Sequence, residues 1–173
     1  MPAIAYGQPT WIDAVLDLVE ARVSAVASLP RERVFSYAGE PDKLAAMPHA
    51  EQFVTAWFVG MPPIAGIVAG GGAAHTAFDS TLRLDVFVRI GTDREMSDSR
   101  LLRDRSFGFA GLVRKVVKAV QVWGAEAADN TSPFIEPARL VSPGISFNPR
   151  TPPTGWAWAR AMLGVKFRTD FTV

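Results

Sequence analysis

The chain has no cysteine among its 173 residues. Disulfides, thiolate metal sites and cysteine nucleophiles are thereby excluded together, and a reducing cytosol suits such a composition. Histidine is nearly as scarce, with His49 and His75 the only two. Neither falls in HxH or HExxH spacing, so no metal centre is signalled. An excess of charge of one sign is also missing: 18 basic against 17 acidic residues give a formal net charge of +1. No global field therefore draws nucleic acid or an anionic membrane to the chain. The first residues, MPAIAYGQPT, lack the basic start and apolar core of a signal peptide, and none is expected.

One stretch lacks charge altogether. Between Glu51 and Asp79 there is no Asp, Glu, Lys or Arg, a length that could cross a bilayer. Gly60, Pro62, Pro63, Gly66 and Gly70 to Gly72 break any continuous helix there. The stretch is read as a buried strand, Phe53–Gly60, followed by an apolar loop, Met61–His75. A membrane span is not expected.

What is present describes a globular protein. Hydrophobic content is 49% and charged content 20%, which places the chain away from disordered sequences. A chain of this length is expected to form a single domain that buries roughly 70% of its unfolded surface.

The central signal is the stretch Thr76–Gly124. In FDSTLRLDVFVRI, Phe78–Ile90, the residues Leu82, Leu84, Val86, Val88 and Ile90 alternate with Thr81, Arg83, Asp85 and Arg89. Only Phe87 breaks the polar set. That period of two predicts a strand with one buried face. A charged linker, Gly91–Arg105, leads to a helix over Phe107–Trp123. There Phe109, Leu112, Val113, Val116, Val117 and Val120 recur at helical spacing opposite Arg114, Lys115, Lys118 and Gln121. Packing the apolar helix stripe on the apolar strand face dries both.

Around this centre, Thr10 and Asp13 resemble a capping box that opens a helix over Trp11–Leu29. Its stripe is Ile12, Val15, Leu16, Val19, Val23 and Val26, and Pro30 ends it. Arg33–Tyr37 reads as a short strand, and Pro41–Met47 as a possible short helix. Six prolines from Pro133 to Pro153 rule out a helix across that region, where Ala138–Val141 reads as a short edge strand. Trp156–Val173 is the final strand, with Leu163, Val165, Phe167, Thr169, Phe171 and Val173 on one face. The expected fold class is α+β, a single domain in which a predominantly antiparallel, mixed sheet is packed by two main helices.

Catalytic chemistry finds no foothold. There is no GxSxG, and Gly70-Gly71-Gly72 lacks the Lys-Ser/Thr of a phosphate-binding loop and precedes a strand rather than a helix. Arg100, Arg103 and Arg105 could grip phosphates, but Asp98 and Asp104 are interleaved, as in a mixed-charge solvated surface. Trp156 and Trp158 share one side of a strand, spaced to stack on a ligand or to pack a core edge; core packing is favoured. No catalytic residue, cofactor or metal ligand is assigned. The Met61–His75 loop carries Met61, Ile64, Ile67 and Val68, which need burial either on the subunit's own sheet or on a neighbour.

Three places together resemble the tail terminator (tail completion) proteins of long-tailed bacteriophages. The first is the opening helix followed by RVFSYAGEPD. The second is LRLDVFVRIGTD, its charged linker and FAGLVRKVVKAV. The third is TGWAWARAMLGVKFRTDFTV. The likeness spans nearly the whole chain, in element order and texture; the 61–75 loop and the Pro-rich Asn148–Thr154 stretch look like insertions. The resemblance implies a structural virion protein without catalysis or cofactor, made in the host bacterial cytoplasm. It would form a homo-oligomeric, hexameric ring that caps the tail tube, ends its polymerisation and joins the head-side connector or neck protein. Expected partners are further copies of the chain, the tail tube protein and the connector, with neither membrane nor sequence-specific nucleic acid. The expected interface residues are Met61, Ile64, Ile67, Val68, Arg100, Arg103 and Arg105. The alternatives are another neck or head-completion protein, or a small ligand-binding or enzymatic domain using the Trp156/Trp158 face.

Overall fold

The computed structural model describes residues 12–39, 51–68, 75–89, 108–123, 131–148 and 155–170. They form an α+β fold of two helices and a mixed, mostly antiparallel sheet. Helix α1 spans Ile12–Ala27 and α2 spans Phe109–Gln121. The strands are β1 (Val34–Ser36), β2 (Gln52–Gly60), β3 (Pro63–Val68), β4 (His75–Arg89), β5 (Arg139–Phe147) and β6 (Trp156–Asp170). Their order in the sheet is β1-β2-β4-β6-β5, with β3 also paired to β4. Only β1 against β2 is parallel. The Thr10 cap, the Pro41–Met47 helix, the Gly91–Arg105 linker, His49, the Gly70–Gly72 run and most of the Asn148–Thr154 stretch lie outside the described residues.

Helix α1 forms because its apolar positions fall on one stripe: Val15, Leu16, Val19 and Val23 are buried. It ends two residues before the expected Leu29, and Pro30 is not what stops it. Ser28 adopts φ 57, the Leu29 amide donates to the Ser24 carbonyl at 3.0 Å and the Ser28 amide to Ala25 at 3.4 Å. This is the Schellman arrangement, with a left-handed residue closing the last turn. Leu29 then tucks into the core. Below it, Glu20, buried at 6% exposure, accepts from the Ser36 hydroxyl and pairs with Arg31 at 2.5 Å. One carboxylate thus ties α1 to the turn before β1 and to β1 itself.

Strand β4 is the axis. Its fifteen residues pair with β6 along their whole length, from His75↔Asp170 to Arg89↔Trp156. On its other edge β2 covers Thr81 to Val88 and β3 covers Thr76 to Phe78. The expected Met61–His75 loop is therefore corrected: its first half continues the β2 line as a strand, with Asp79 N–H donating to the Pro62 carbonyl at 3.0 Å across the break. Glycine and proline density suggested a loop, but β4 starts three residues earlier than expected and offers an open edge with which the backbone of Pro63–Val68 pairs.

Leu82, Leu84 and Val86 of β4, with Val54, Ala56 and Phe58 of β2 and Leu163, Val165 and Phe167 of β6, pack beneath the helices in the main core. On α2, Phe109, Leu112, Val113, Val116, Val117 and Val120 meet them, all at most 5% exposed. Arg22 of α1 donates to the Ala119 carbonyl at 3.3 Å and lies over the Trp123 ring, joining the two helices. The strand faces and helix stripe expected from sequence meet as expected.

The opposite sheet face departs from expectation. The Arg83/Asp85 side of β4 is buried, not solvated: Arg83 is 6% and Asp85 0% exposed. Four rings lie side by side across four strands on this face. Phe35 to Phe53 is 5.8 Å, Phe53 to Phe87 4.6 Å and Phe87 to Trp158 5.9 Å between centroids, all nearly parallel. Trp156 meets Phe53 edge-on at 5.2 Å. These rings are a second core, and Phe87, the apparent flaw in the polar alternation, belongs to it.

Candidate assembly interface

The sheet ends at β5, and the edge beside α2 carries the most conspicuous unmet burial among the described residues. Leu140 is 40% and Phe147 55% exposed. Together with half-buried Ile145 they wall a groove of about 350 Å³ whose other wall is α2, through Ala110, Val113, Val117 and Gln121. Arg114 and Lys118, both exposed, rim it. Phe147 touches Phe109 edge-on at 5.7 Å, which holds its ring at one end of the groove.

The local sequence explains how three apolar residues of β5 come to share a face. In a regular strand Leu140 and Ile145, five apart, would point to opposite sides. Here Leu140 pairs with Leu163 and Ile145 with Ala161, so residues 141–144 stand opposite Met162 alone. This wide bulge, containing Pro143 and Gly144 with φ +79, restores the phase and turns Leu140, Ile145 and Phe147 toward α2. Gly164 pairs with Arg139 just ahead of the bulge, and a Cβ there would lie 2.8 Å from Cγ1 of Val141, the first bulge residue. The close approach of β5 and β6 needs a residue without a side chain there. The short strand expected over Ala138–Val141 is thus longer, because a bulge carries pairing past Pro143.

The charged group on the other sheet face has a different character. Asp85 accepts from Trp158 Nε1 at 2.9 Å and pairs with Arg160 at 2.8 Å and Arg83 at 3.0 Å. Arg83 also donates to the carbonyls of Tyr37 at 3.0 Å and Gly39 at 2.8 Å. Both carboxylate oxygens are engaged, and the arginines are held by backbone and carboxylate. A buried, fully partnered network of this kind positions strands and the segment after β1. Trp158 is 1% exposed and Trp156 8%, so both indoles are core side chains and offer no exposed stacking platform. No group of three or more His, Cys, Asp and Glu side chains placed to hold a metal occurs among the described residues. No helix among them is long and apolar enough to cross a membrane.

Of the interface residues expected from sequence, Met61 is half-buried and packs against the subunit's own core. Ile64 is half-buried on β3. Ile67 and Val68 are in β3 by backbone, with side chains outside the described set, and Arg100, Arg103 and Arg105 lie outside the described residues altogether. Sequence reading missed Leu140, Ile145 and Phe147. The signal was present in ARLVSPGISF, where apolar residues flank Pro-Gly, but Pro143 reads as a strand terminator unless the bulge is known. Arg114 and Lys118 were read as a solvated helix face, and they are solvated, although they border the groove.

The chain matches no model of a known protein family, and no curated protein matches it significantly.

Proposed function

We infer that this chain is a structural subunit that assembles with copies of itself, a tail-terminator-type protein of a long-tailed bacteriophage. In that role a hexameric ring caps the tail tube, stops its growth and presents a surface to the head-side connector, with the genome free to pass through the ring. The observation that carries the reading is the groove beside β5. A sheet edge next to exposed Leu140 and Phe147 is a surface built to be covered by protein, since each aliphatic or aromatic side chain gains about 1.5–3 kcal/mol on full burial. The buried chemistry of the sheet is compatible with scaffolding: the charged network around Asp85 has its carboxylate closed off between the strands. The reading also draws on the order helix, short strand, strand, long strand, valine-rich helix and final strand on which the resemblance rests, to which the structure adds β3 and β5. The β3–β4 hairpin, with Ile64, Ile67 and Val68, is the second proposed contact, to a neighbouring subunit or to the adjoining tail or neck protein.

Electron microscopy and cross-linking of assembled particles test the reading. A ring of this protein at the head-proximal end of the tail is expected. Particles that carry it only as a monomer on a capsid protein, or tails of normal length assembled without it, end the proposal.

A further inference from the structure

The two ends of the helix layer are complementary. At one end α2 and β5 form the apolar groove, with Arg114 and Lys118 one helical turn apart on its rim; α2 carries no acidic residue at all. At the other end is α1. Its Arg22 reaches α2 while Glu20 reaches β1 on the far side, which fixes its rotation. Asp13 and Asp17, exposed and also one turn apart, lie on the side beyond Glu20, away from α2, where Arg31 stands 3.8 Å from Asp17 and leaves the face net negative. Ala21 continues that exposed face with a small apolar residue. Because α1 packs over β1 and β2 while α2 packs over β4 and β6, the acidic face and the basic-rimmed groove stand at opposite ends of the molecule.

We propose that the α2–β5 groove receives the Asp13–Asp17–Ala21 face of α1 from a second copy of this chain, a head-to-tail contact. This rests on the ring-forming reading above and assigns its interface. Arg114 and Lys118 meet the two aspartates of the neighbour at matched spacing, and Ala21 lets α1 come close to Leu140 and Phe147. A contact between two different surfaces at opposite ends propagates from copy to copy and either closes into a ring or runs on as a filament. Like-charged faces cannot pair, so the symmetric groove-to-groove and α1-to-α1 dimers are disfavoured.

The absence of native cysteine makes disulfide mapping clean. If α1 enters antiparallel to α2, Ala21 falls opposite Ala110; if parallel, it falls opposite Val122, next to Gln121 on the groove wall. The full chain carrying Ala21→Cys with Ala110→Cys, or Ala21→Cys with Gln121→Cys, is oxidised at high concentration beside the three single-cysteine variants. One of the two pairs is expected to give a ladder of covalent oligomers, whereas single variants stop at dimers. A second measurement is the assembly concentration by sedimentation. Arg114→Glu/Lys118→Glu and Asp13→Lys/Asp17→Lys should each raise it about tenfold or more, and mixing the two should restore association. Oligomers that form without any ladder, and that ignore both charge reversals, overturn this interface while leaving the ring reading standing. A ladder from a chain that proves to have no place in a phage tail supports the interface and defeats only that reading. A protein that stays monomeric and uncross-linked at every concentration overturns the interface.

Discussion

The indole N–H of Trp158 and the carboxylate of Asp85 meet at 2.9 Å inside the sheet, on neighbouring strands and two residues out of direct register. Arg160 pairs directly opposite Asp85 across the same ladder and lies over the Trp158 ring at 5.1 Å. The carboxylate therefore sits where an aromatic row and a charged row touch, and its removal disturbs both. Asp85→Ala leaves the buried Arg83 guanidinium and the partly buried Arg160 guanidinium beside an empty site. The expected cost is about 3–5 kcal/mol, as for other broken buried pairs, read as a shift in the denaturant midpoint at unchanged slope. A triple variant, Arg83→Met/Asp85→Leu/Arg160→Met, should lose less than Asp85→Ala alone. Equal stability of Asp85→Ala and the native chain would show that the network does not hold the strands.

Leu84 is completely buried between α2 and the strand pair β2/β6. Leu84→Asp places a charge there with nothing to neutralise it, which costs several kcal/mol and threatens the folding of a typical domain. Circular dichroism on heating should show loss of the cooperative transition. A native melting curve would place the inward face of β4 wrongly.

Gly164→Ala tests the bulge. The added methyl group meets Val141 Cγ1 at 2.8 Å, and overpacking of this kind costs about 1–3 kcal/mol. Val141→Ala in the same chain should recover most of that loss. Additive losses in the double variant would mean that the two residues are not in contact.

Ser28 ends α1 with a positive φ, a conformation that glycine adopts without steric cost. Ser28→Gly should leave stability unchanged or raise it by up to about 1 kcal/mol, whereas most substitutions destabilise. Ser28→Val should lower it, because a β-branched residue is poorly suited to that region. Thermal melts of the two variants, side by side, read the difference.

Replacing Pro62–Ala74 by a short Gly-Ser turn removes β3 but keeps Met61, whose side chain packs on the main core. The shortened protein should still fold cooperatively, since the β2–β4 and β4–β6 ladders remain, and should fail to assemble. Unfolding of the shortened chain would assign β3 to the subunit's own core; normal assembly would remove it from the interface.

Most of this architecture could be read from local pattern. The valine-rich stripe of α2 and the alternation of Leu82, Leu84 and Val86 each pointed to a buried face, and those faces meet. The second core could not be read that way. Alternating Arg83 and Asp85 look the same whether they face water or each other, because the partner that decides the matter, Arg160, is 75 residues away. Helix α1 ends through Ser28, a residue with no strong C-terminal signature, so the proline after it drew attention instead. The groove was hidden for a related reason. Its wall depends on a bulge that realigns Leu140 with Ile145, and phase across a bulge is set by the partner strand rather than by the residues in it.

The pairing of β4 with β6 also sets an order of events during synthesis. β4 is complete at Arg89, yet the strand that covers its second edge begins only at Trp156. Until that later segment leaves the ribosome, Asp85 has neither Trp158 nor Arg160, and a fifteen-residue edge stays open beside β2 and β3. Contacts this distant in sequence slow folding, and exposed edges invite association with other nascent chains. Truncated products that stop short of β6 should therefore aggregate rather than accumulate as soluble half-domains.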